Sequence, residues 1–537
     1  MSEHGWNFAD VWERIADTIP DAPALTHADT RRTWAEFDRR ADGVARTLLD
    51  NGAQRQDKVA QYLYNCSEYM ESVFATFKAG LAPVNTNYRY VDDELVYLWD
   101  NADVVAVVFH GTFSERIAGL RDRVPRIVTW LWVDDGAGPC PEWATPYETA
   151  ATSASERTVP AHGRSGDDLL LLYTGGTTGM PKGVMWRQDD LYNNFSLAIW
   201  HDPPAPDLDA VTARVKERIG PVDMPACPLM HGTGLFSGMQ QLCQGGSVVT
   251  LTARHLDVDE LLDTIERERV NVLAMVGDAF GKPILRALDA DPGRWDISSL
   301  IAIVSSGVMF SIETKQGLLK HHGGMLIVDA FSSSEALGMG QSVTGRDMPT
   351  RTARFTVGER ARVITDDGRD VVPGSGEIGR VAVGGFQPVG YYKDEAKSDA
   401  TFKVIDGKRY SIPGDYATVE ADGTLTLMGR GSVCINTGGE KVFPEEVEEV
   451  LKLHAAVRDA VVVGVPDEKF GEAIVAMVEP HPAADVDADD VIAHVKAHLA
   501  SYKAPKRVVA IETIGRAPNG KVDYKRLRNE AITATGR

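Results

Sequence analysis

Apolar positions along the first part of the chain recur at two alternating spacings. Trp34, Phe37, Ala41 and Val44 fall near one face of a helix predicted over 33–49. Residues 59–63 read as a strand, 67–79 as a helix closed by Gly80, and 104–109 as a short, fully apolar strand. Helices alternating with buried strands predict a layered α/β sheet. The apolar run 169–172 feeds a glycine-rich stretch. Strands follow at 247–251, 270–276, 301–304 and 325–328, and the last two each run into a polar cluster. Residues 203–219 are proline-rich and then charged, with few apolar anchors, and predict a surface insertion. From Gly358 to Gly429, dense glycines separate short strands and predict a β-rich subdomain.

The pattern resets near Gly429-Arg430-Gly431-Ser432. Pro444 suits the first turn of a helix reaching about His454, with Glu445 and Glu446 at its positive end. Strands at 457–465, 473–478 and 508–511 and a helix at 491–499 complete a compact α+β pattern. The expected fold class is α/β: a large N-terminal domain of layered α/β sheets with a β-rich subdomain, and a small α+β C-terminal domain.

Composition narrows the function. Lys and Arg total 56 against 77 Asp and Glu, a formal net charge of -21 over 537 residues. That balance argues against a sequence-independent nucleic-acid binder, which needs a broad cationic surface. Cys66, Cys140, Cys227, Cys243 and Cys434 are scattered and form neither a disulfide framework nor a zinc pattern. The first residues lack a basic start followed by an apolar core, and no apolar stretch is long enough to span a bilayer. These features lead to the expectation of a cytoplasmic protein.

The central motif is YTGGTTGMPKG, residues 173–183. Gly175, Gly176 and Gly179 let backbone amides approach a polyphosphate. Thr174, Thr177 and Thr178 add hydroxyls, and Lys182 adds a cation. Gly183 after the lysine excludes a Walker loop, which carries Ser or Thr there.

This loop resembles the signature of the acyl-CoA synthetases and the wider adenylate-forming superfamily, and further motifs follow in that family's order over essentially the whole chain. The resemblance implies ATP, Mg2+ and coenzyme A, with a carboxylic acid as the small-molecule partner. PLMHGTG resembles the fourth motif, which implies that His231 and Gly232 border the acyl pocket. Ser306 and Gly307 match a turn beside adenine and the acyl group. Asp329, Ala330, Phe331, Ser332, Ser334 and Glu335 resemble the fifth motif, with Phe331 near adenine, Ser334 beside phosphate and Glu335 holding magnesium with Thr174. Ser332 stands where relatives carry glycine. Asp415 matches the ribose-binding aspartate, and Arg430 an arginine near the hinge. The hinge is placed at 430–433 with Ser432 as pivot, between an adenylation domain, 1–429, and a mobile lid, 434–537. Gly438, Gly439 and Lys441 resemble the strip beside the coenzyme A tunnel. Lys521, in APNGKVDYKRL, resembles the catalytic lysine of the tenth motif.

The resemblance implies two half-reactions: acyl-adenylate formation with release of pyrophosphate, then thioester formation with release of AMP. Catalytic roles fall on Lys521, Glu335, His231 and Lys182. A carrier-protein-loading enzyme and a luciferase-like enzyme share these motifs and stay open on sequence, as does a homodimer. Leu229, Met230, Leu235, Phe236 and Met239 around His231 suit either a hydrophobic acyl tail or plain core packing. Gly232, Gly234 and Gly238 are expected to leave room for such a tail. GVMWRQDD, residues 183–190, resembles synthetases acting on fatty acids and steroid side-chain acids.

Overall fold

The structure is a computed structural model describing residues 5–174, 180–199, 205–307, 310–348, 354–430, 435–437, 440–442, 444–467, 471–482, 484–499, 501–517 and 522–536. The chain divides into two compact units: Met1–Thr352 with Gly384–Ser411, and Ala353–Val383 with Ile412–Arg537.

The described residues of the first unit contribute strands to two sheets. One runs in the order Gly390–Tyr391, Lys182–Arg187, Leu169–Thr174, Ala82–Asn85, Lys58–Tyr62, Val104–His110, Thr129–Val133, Thr145–Pro146. It is parallel from Leu169–Thr174 through to Thr145–Pro146 and antiparallel at the edge that carries the glycine loop. In the other, five parallel strands run in the order Pro23–His27, Ser247–Thr250, Val222–Pro225, Val272–Met275, Ala302–Ser306. Leu326–Ser333 continues it in parallel and returns as an antiparallel hairpin through Ala336–Thr344. The predicted alternation of helix and apolar strand is thus realised as parallel sheet.

Helices Phe8–Thr18, Trp34–Asp50 and Ser67–Lys78 share one buried core, in which Phe8, Trp12, Phe37, Phe74 and Phe77 pack ring against ring. Thr33 is the N-cap of the second of these. Its hydroxyl accepts from Glu36 N, and Glu36 accepts from Thr33 N, closing a capping box.

The expected surface insertion is corrected in part. It contains a helix, Leu208–Glu217, capped by Asp207, whose Val211 and Val215 are buried. This helix packs on Phe8–Thr18, and Arg14 pairs with Asp209 at 2.8 Å. Two apolar residues one turn apart are enough to anchor a short helix.

The second unit contains an antiparallel group in the order Arg354–Val357, Leu425–Arg430, Asp415–Val419, Ile378–Gly384, Ala361–Ile364. A five-stranded sheet follows, centred on the long pair Val457–Asp467 and Gly471–Pro480. Its pleat sends Ala460, Val462, Ile474 and Ala476 to one face, where Val447, Leu451, Val491 and Val495 of two helices cover them. Val461, Val463, Val465 and Val475 go to the other face, covered by Leu527 and Ala531 of Tyr524–Thr535. That last helix carries no pattern strong enough to have been predicted. Among the described residues, no helix is long and apolar enough to cross a membrane, and Cys66, Cys140, Cys227 and Cys243 are free thiols. Cys434 lies outside the described residues.

One buried charge ties the helical layer together. Lys78, fully buried, meets Glu13 at 2.9 Å, Asp38 at 2.7 Å and Asp42 at 2.8 Å. Arg164 also pairs with Glu13, and Arg157 with Asp38. Burial pushes the Asp42 carboxyl up despite Lys78. For Glu13 the opposing push of burial is outweighed by Arg164 and Lys78, which hold it low. Deleting one partner of such a cluster leaves carboxylates uncompensated. Lys78→Met is therefore expected to cost about 3–5 kcal/mol, read as a lower urea midpoint at unchanged slope. A loss below about 1 kcal/mol, the range of an exposed pair, would contradict this reading.

Candidate active site

The described ends of the glycine motif, Tyr173–Thr174 and Lys182–Gly183, lie on two antiparallel strands. Leu169–Thr174 pairs with Lys182–Arg187, and Thr174 stands opposite Lys182. Gly175, Gly176, Thr177, Thr178 and Gly179 lie outside the described residues. The loop base is fixed by a residue the motifs did not flag. Asn85 ends its strand with a buried side chain, and its Oδ1 accepts from Tyr173 N at 2.6 Å. Its Nδ2 donates to Tyr173 O at 2.9 Å and to Met230 O at 2.7 Å. One amide therefore satisfies both backbone groups of Tyr173, at the start of the glycine motif, and the carbonyl just before His231. Asn65 repeats the device: its Oδ1 accepts from Leu229 N at 2.7 Å, and its Nδ2 donates to Pro225 O at 3.3 Å and Cys227 O at 3.1 Å.

His231 occupies the N-cap position of helix Gly232–Leu242. Its glycine-rich surroundings correct the expected room for a tail. A Cβ on Gly234 would meet Pro228 O at 2.7 Å and Cys227 O at 3.0 Å; one on Gly232 would meet Leu172 Cδ2 at 3.1 Å. One on Gly238 would stand 3.3 Å from Val248 Cγ2. The protein itself fills that space. Leu229, Leu235, Phe236 and Met239 are buried in the main core. These residues hold the His231 turn tightly against the loop strand.

The fifth-motif residues sit where the second sheet turns back. Ser334 and Glu335 form the tip of the hairpin between Leu326–Ser333 and Ala336–Thr344. Three side chains grip that tip. Trp186 Nε1 donates to Ser334 O at 2.9 Å, Ser411 Oγ to Glu335 O at 2.7 Å, and the Tyr391 hydroxyl to Glu335 Oε1 at 2.8 Å. Trp186 belongs to the strand pair flanking the glycine motif, so that pair and Glu335 share one frame. Lys182 Nζ meets Asp394 Oδ2 at 2.6 Å and lies 5.9 Å from the centre of the Tyr391 ring. The lysine holds the Asp394 carboxyl below its ordinary range.

Ser332 raises a question of backbone geometry, since it stands in for glycine. It does not take the left-handed conformation, and its hydroxyl accepts from Gly338 N at 3.2 Å, so the side chain helps close the hairpin. Phe331 is largely buried, with Ala330 beside it on the same strand. The Asp329 carboxylate is bonded to buried Lys315, and burial pushes its pKa up against that lysine's charge. Gly307 has φ +89, and a side chain there would meet open space, while neighbouring Ser305 Oγ accepts from Gly277 N at 2.9 Å. Ser306 ends the strand before it.

In the second unit, Asp415 and Arg430 stand opposite each other on adjacent strands, with the Asp415 side chain buried. Lys441 is the register partner of Asn436. Ser432, Gly438, Gly439 and Lys521 lie outside the described residues. The segments flanking 518–521 are held on both sides. Arg516 forks onto Asp459 at 2.6 and 2.9 Å, Ile514 N donates to Glu479 Oε2 at 2.8 Å, and Asp523 caps helix Tyr524–Thr535.

The site therefore brings Thr174, Lys182, Ser334 and Glu335 into one connected frame, with the His231 turn joined to it through Asn85. Sequence reasoning missed Asn65, Asn85, Tyr391 and Asp394. The pair Tyr391 and Asp394 lies in a Gly-Tyr-Tyr-Lys-Asp turn whose density of polar and aromatic groups was the available signal.

The sequence model of the AMP-binding enzyme family matches residues 12–392, and that of the AMP-binding enzyme C-terminal domain matches 446–521. The chain is 40% identical to a 3-oxocholest-4-en-26-oate–CoA ligase of Rhodococcus rhodochrous, covering 98% of this chain and 96% of that one. It is also 40% identical to a medium/long-chain-fatty-acid–CoA/3-oxocholest-4-en-26-oate–CoA ligase of Mycolicibacterium smegmatis, covering 97% and 95%. Among solved structures, ATP-bound MatB from Rhodopseudomonas palustris superposes with a TM-score of 0.80 at 25% identity, covering 99% of this chain and 100% of that one. The anthranilate CoA ligase AuaEII with anthranoyl-AMP shares the fold, with a TM-score of 0.84 at 22% identity, covering 99% and 98%. A loop hairpin, a gripped acidic turn and these matches over nearly the whole chain lead to one conclusion: the chain belongs to the AMP-binding enzyme family and is an ATP-dependent, AMP-forming acyl-CoA synthetase of the adenylate-forming superfamily.

Proposed function

We propose that the acid is a medium- or long-chain fatty acid or a steroid side-chain carboxylate. The observation that carries this reading is the 40% identity, over nearly the full chain, to ligases named for those acids. A medium-chain acyl-CoA ligase of Mycobacterium avium, 37% identical over 97% of this chain, supports it.

The chemistry must join two anions. At about 4 Å and an effective dielectric of about 20, a carboxylate and one phosphate charge repel by roughly 4 kcal/mol. In our reading Lys182 and the loop amides of 175–179 hold the polyphosphate, and Thr174 adds a hydroxyl. Glu335 fits a magnesium site in its chemistry: it is a carboxylate at a hairpin tip, and one of its oxygens is fixed by Tyr391. Magnesium takes one or two carboxylates and relies on substrate phosphates for the rest, so a large ligand cluster is not required, and the described residues contain none. When bound, the metal neutralises phosphate charge. His231 orients the carboxylate at the mouth of its turn. Ser306, Gly307, Asp329, Ala330, Phe331, Ser332 and Ser334 form the nucleotide side in this reading, and Asp415 and Arg430 take the ribose hydroxyls and a phosphate. Lys521 contacts the carboxylate and the α-phosphate as charge reorganises.

We assign the hinge to 430–433, with Ser432 as pivot between 1–429 and 434–537. Rotation there withdraws Lys521 and brings Gly438, Gly439 and Lys441 to the adenylate for attack by coenzyme A. A homodimer and a cytoplasmic location complete the reading.

Two outcomes test it. In a pyrophosphate-release assay with a panel of acids, medium- and long-chain fatty acids and a steroid side-chain acid should support turnover, with acetate and benzoate near background. The reverse ranking would overturn the substrate assignment. Lys521→Ala should abolish acid-dependent exchange of labelled pyrophosphate into ATP while largely sparing thioester formation from preformed acyl-adenylate. Equal loss of both half-reactions would sink that division of labour.

A further inference from the structure

Residues 390–394 form a strap along the edge of the loop sheet. Its backbone pairs Gly390 with Met185 and Tyr391 with Val184, and Tyr392 N donates to Gly183 O at 2.8 Å. Its side chains run to three groups. The Tyr391 hydroxyl donates to Glu335 Oε1 at 2.8 Å, and Asp394 Oδ2 accepts from Lys182 Nζ at 2.6 Å. Tyr392 donates to Asp103 Oδ2 at 2.8 Å, and Lys393 pairs with the same carboxylate at 2.8 Å. The Lys58 ammonium lies 4.7 Å from the centre of the Tyr392 ring. Tyr392 and Lys393 thus nail the strap to the sheet, while Tyr391 and Asp394 reach the two charged groups of the phosphate site.

We propose that Tyr391 and Asp394 are positioning residues for adenylation: Tyr391 fixes the Glu335 carboxylate for a magnesium–polyphosphate, and Asp394 holds Lys182 until the polyphosphate displaces it. This rests on the assignment of Lys182 and Glu335 to ATP and metal made above.

The physical basis differs for the two residues. A carboxylate at a hairpin tip has free side-chain torsions, and a phenol bond to one oxygen holds its orientation while the other oxygen keeps its lone pairs. That bond is charge-assisted and so among the stronger kinds. The Lys182–Asp394 pair, in contrast, is 36% and 31% exposed. Ion pairs this open are weak and readily exchanged, and a polyphosphate offers several charges against one. Asp394 is itself anchored, since its Oδ1 accepts from Lys397 N at 3.0 Å as the N-cap of helix Glu395–Thr401. The lysine therefore has a fixed resting place beside the loop rather than a solvent-averaged one.

Calorimetric titration of ATP, with magnesium and in EDTA, separates the two roles from general damage. Tyr391→Phe should weaken binding with magnesium about threefold to tenfold and leave metal-free binding unchanged, as expected for losing one hydrogen bond to a charged group. Equal weakening in both conditions, or none, would overturn the role of Tyr391. Asp394→Asn removes the rival anion and should tighten metal-free ATP binding about threefold to fivefold. Asp394→Glu, which keeps the charge, should stay within about twofold. Unchanged or weaker binding in Asp394→Asn would overturn the exchange. This arm reads the strap independently if Tyr391→Phe fails to fold. Glu335→Gln is the reference. If it leaves the magnesium dependence untouched, the assignment of Glu335 itself fails; if it shifts that dependence and Tyr391→Phe does not, only the strap inference fails.

Discussion

A single buried amide, that of Asn85, joins the strand entering the glycine motif to the turn before His231. Asn85 makes three hydrogen bonds, two to the backbone of Tyr173 and one to the carbonyl of Met230. Without it, the donor and acceptors where two chain segments converge would be buried unpaired, at about 1–3 kcal/mol each. With it, the residue that opens the glycine loop and the residue before His231 are bonded to the same side chain. The described start of the glycine motif is thereby fixed to the turn before His231.

The second anchor lies across the loop. Trp186 and Tyr391 hold the Ser334–Glu335 tip from the loop hairpin and the strap, so the acidic turn of one sheet is bonded to the edge of another. This matters because the reaction brings like charges together. Charges that offset that repulsion help only if they are already in place, since reorganising them during the reaction would consume the gain. The same frame binds charges that are individually weak. Lys182 and Asp394 are partly exposed, and a pair this open exchanges readily, in keeping with the proposed transfer of Lys182 from Asp394 to a polyphosphate.

Much of this was legible in the sequence, for physical reasons that differ by element. The parallel strands appear as continuous apolar runs because both faces are covered, and Leu169–Thr174 and Val104–His110 follow that pattern. The loop and the hairpin tip appear because glycine, threonine and an acid after a buried strand have few other uses. The anchors were not legible. Asn85 acts on a residue 88 positions away, and Asp394 on one 212 positions away. A lone asparagine or aspartate carries no periodicity to mark such a contact. The glycines after His231 misled for a related reason. A missing side chain reads as space, but at Gly234 the space is occupied by backbone carbonyls of the preceding turn. Helix Leu208–Glu217 was hidden because two buried valines one turn apart are too short a pattern to stand out.

The most direct test of this account is the steady-state kinetics of Asn85→Ala, varying ATP, acid and coenzyme A in turn. If one amide positions both the phosphate loop and the His231 turn, the KM values for ATP and for the acid should rise together, by about tenfold or more, with the KM for coenzyme A unchanged. A rise for only one of ATP and acid, or an equal rise for all three substrates, would contradict it.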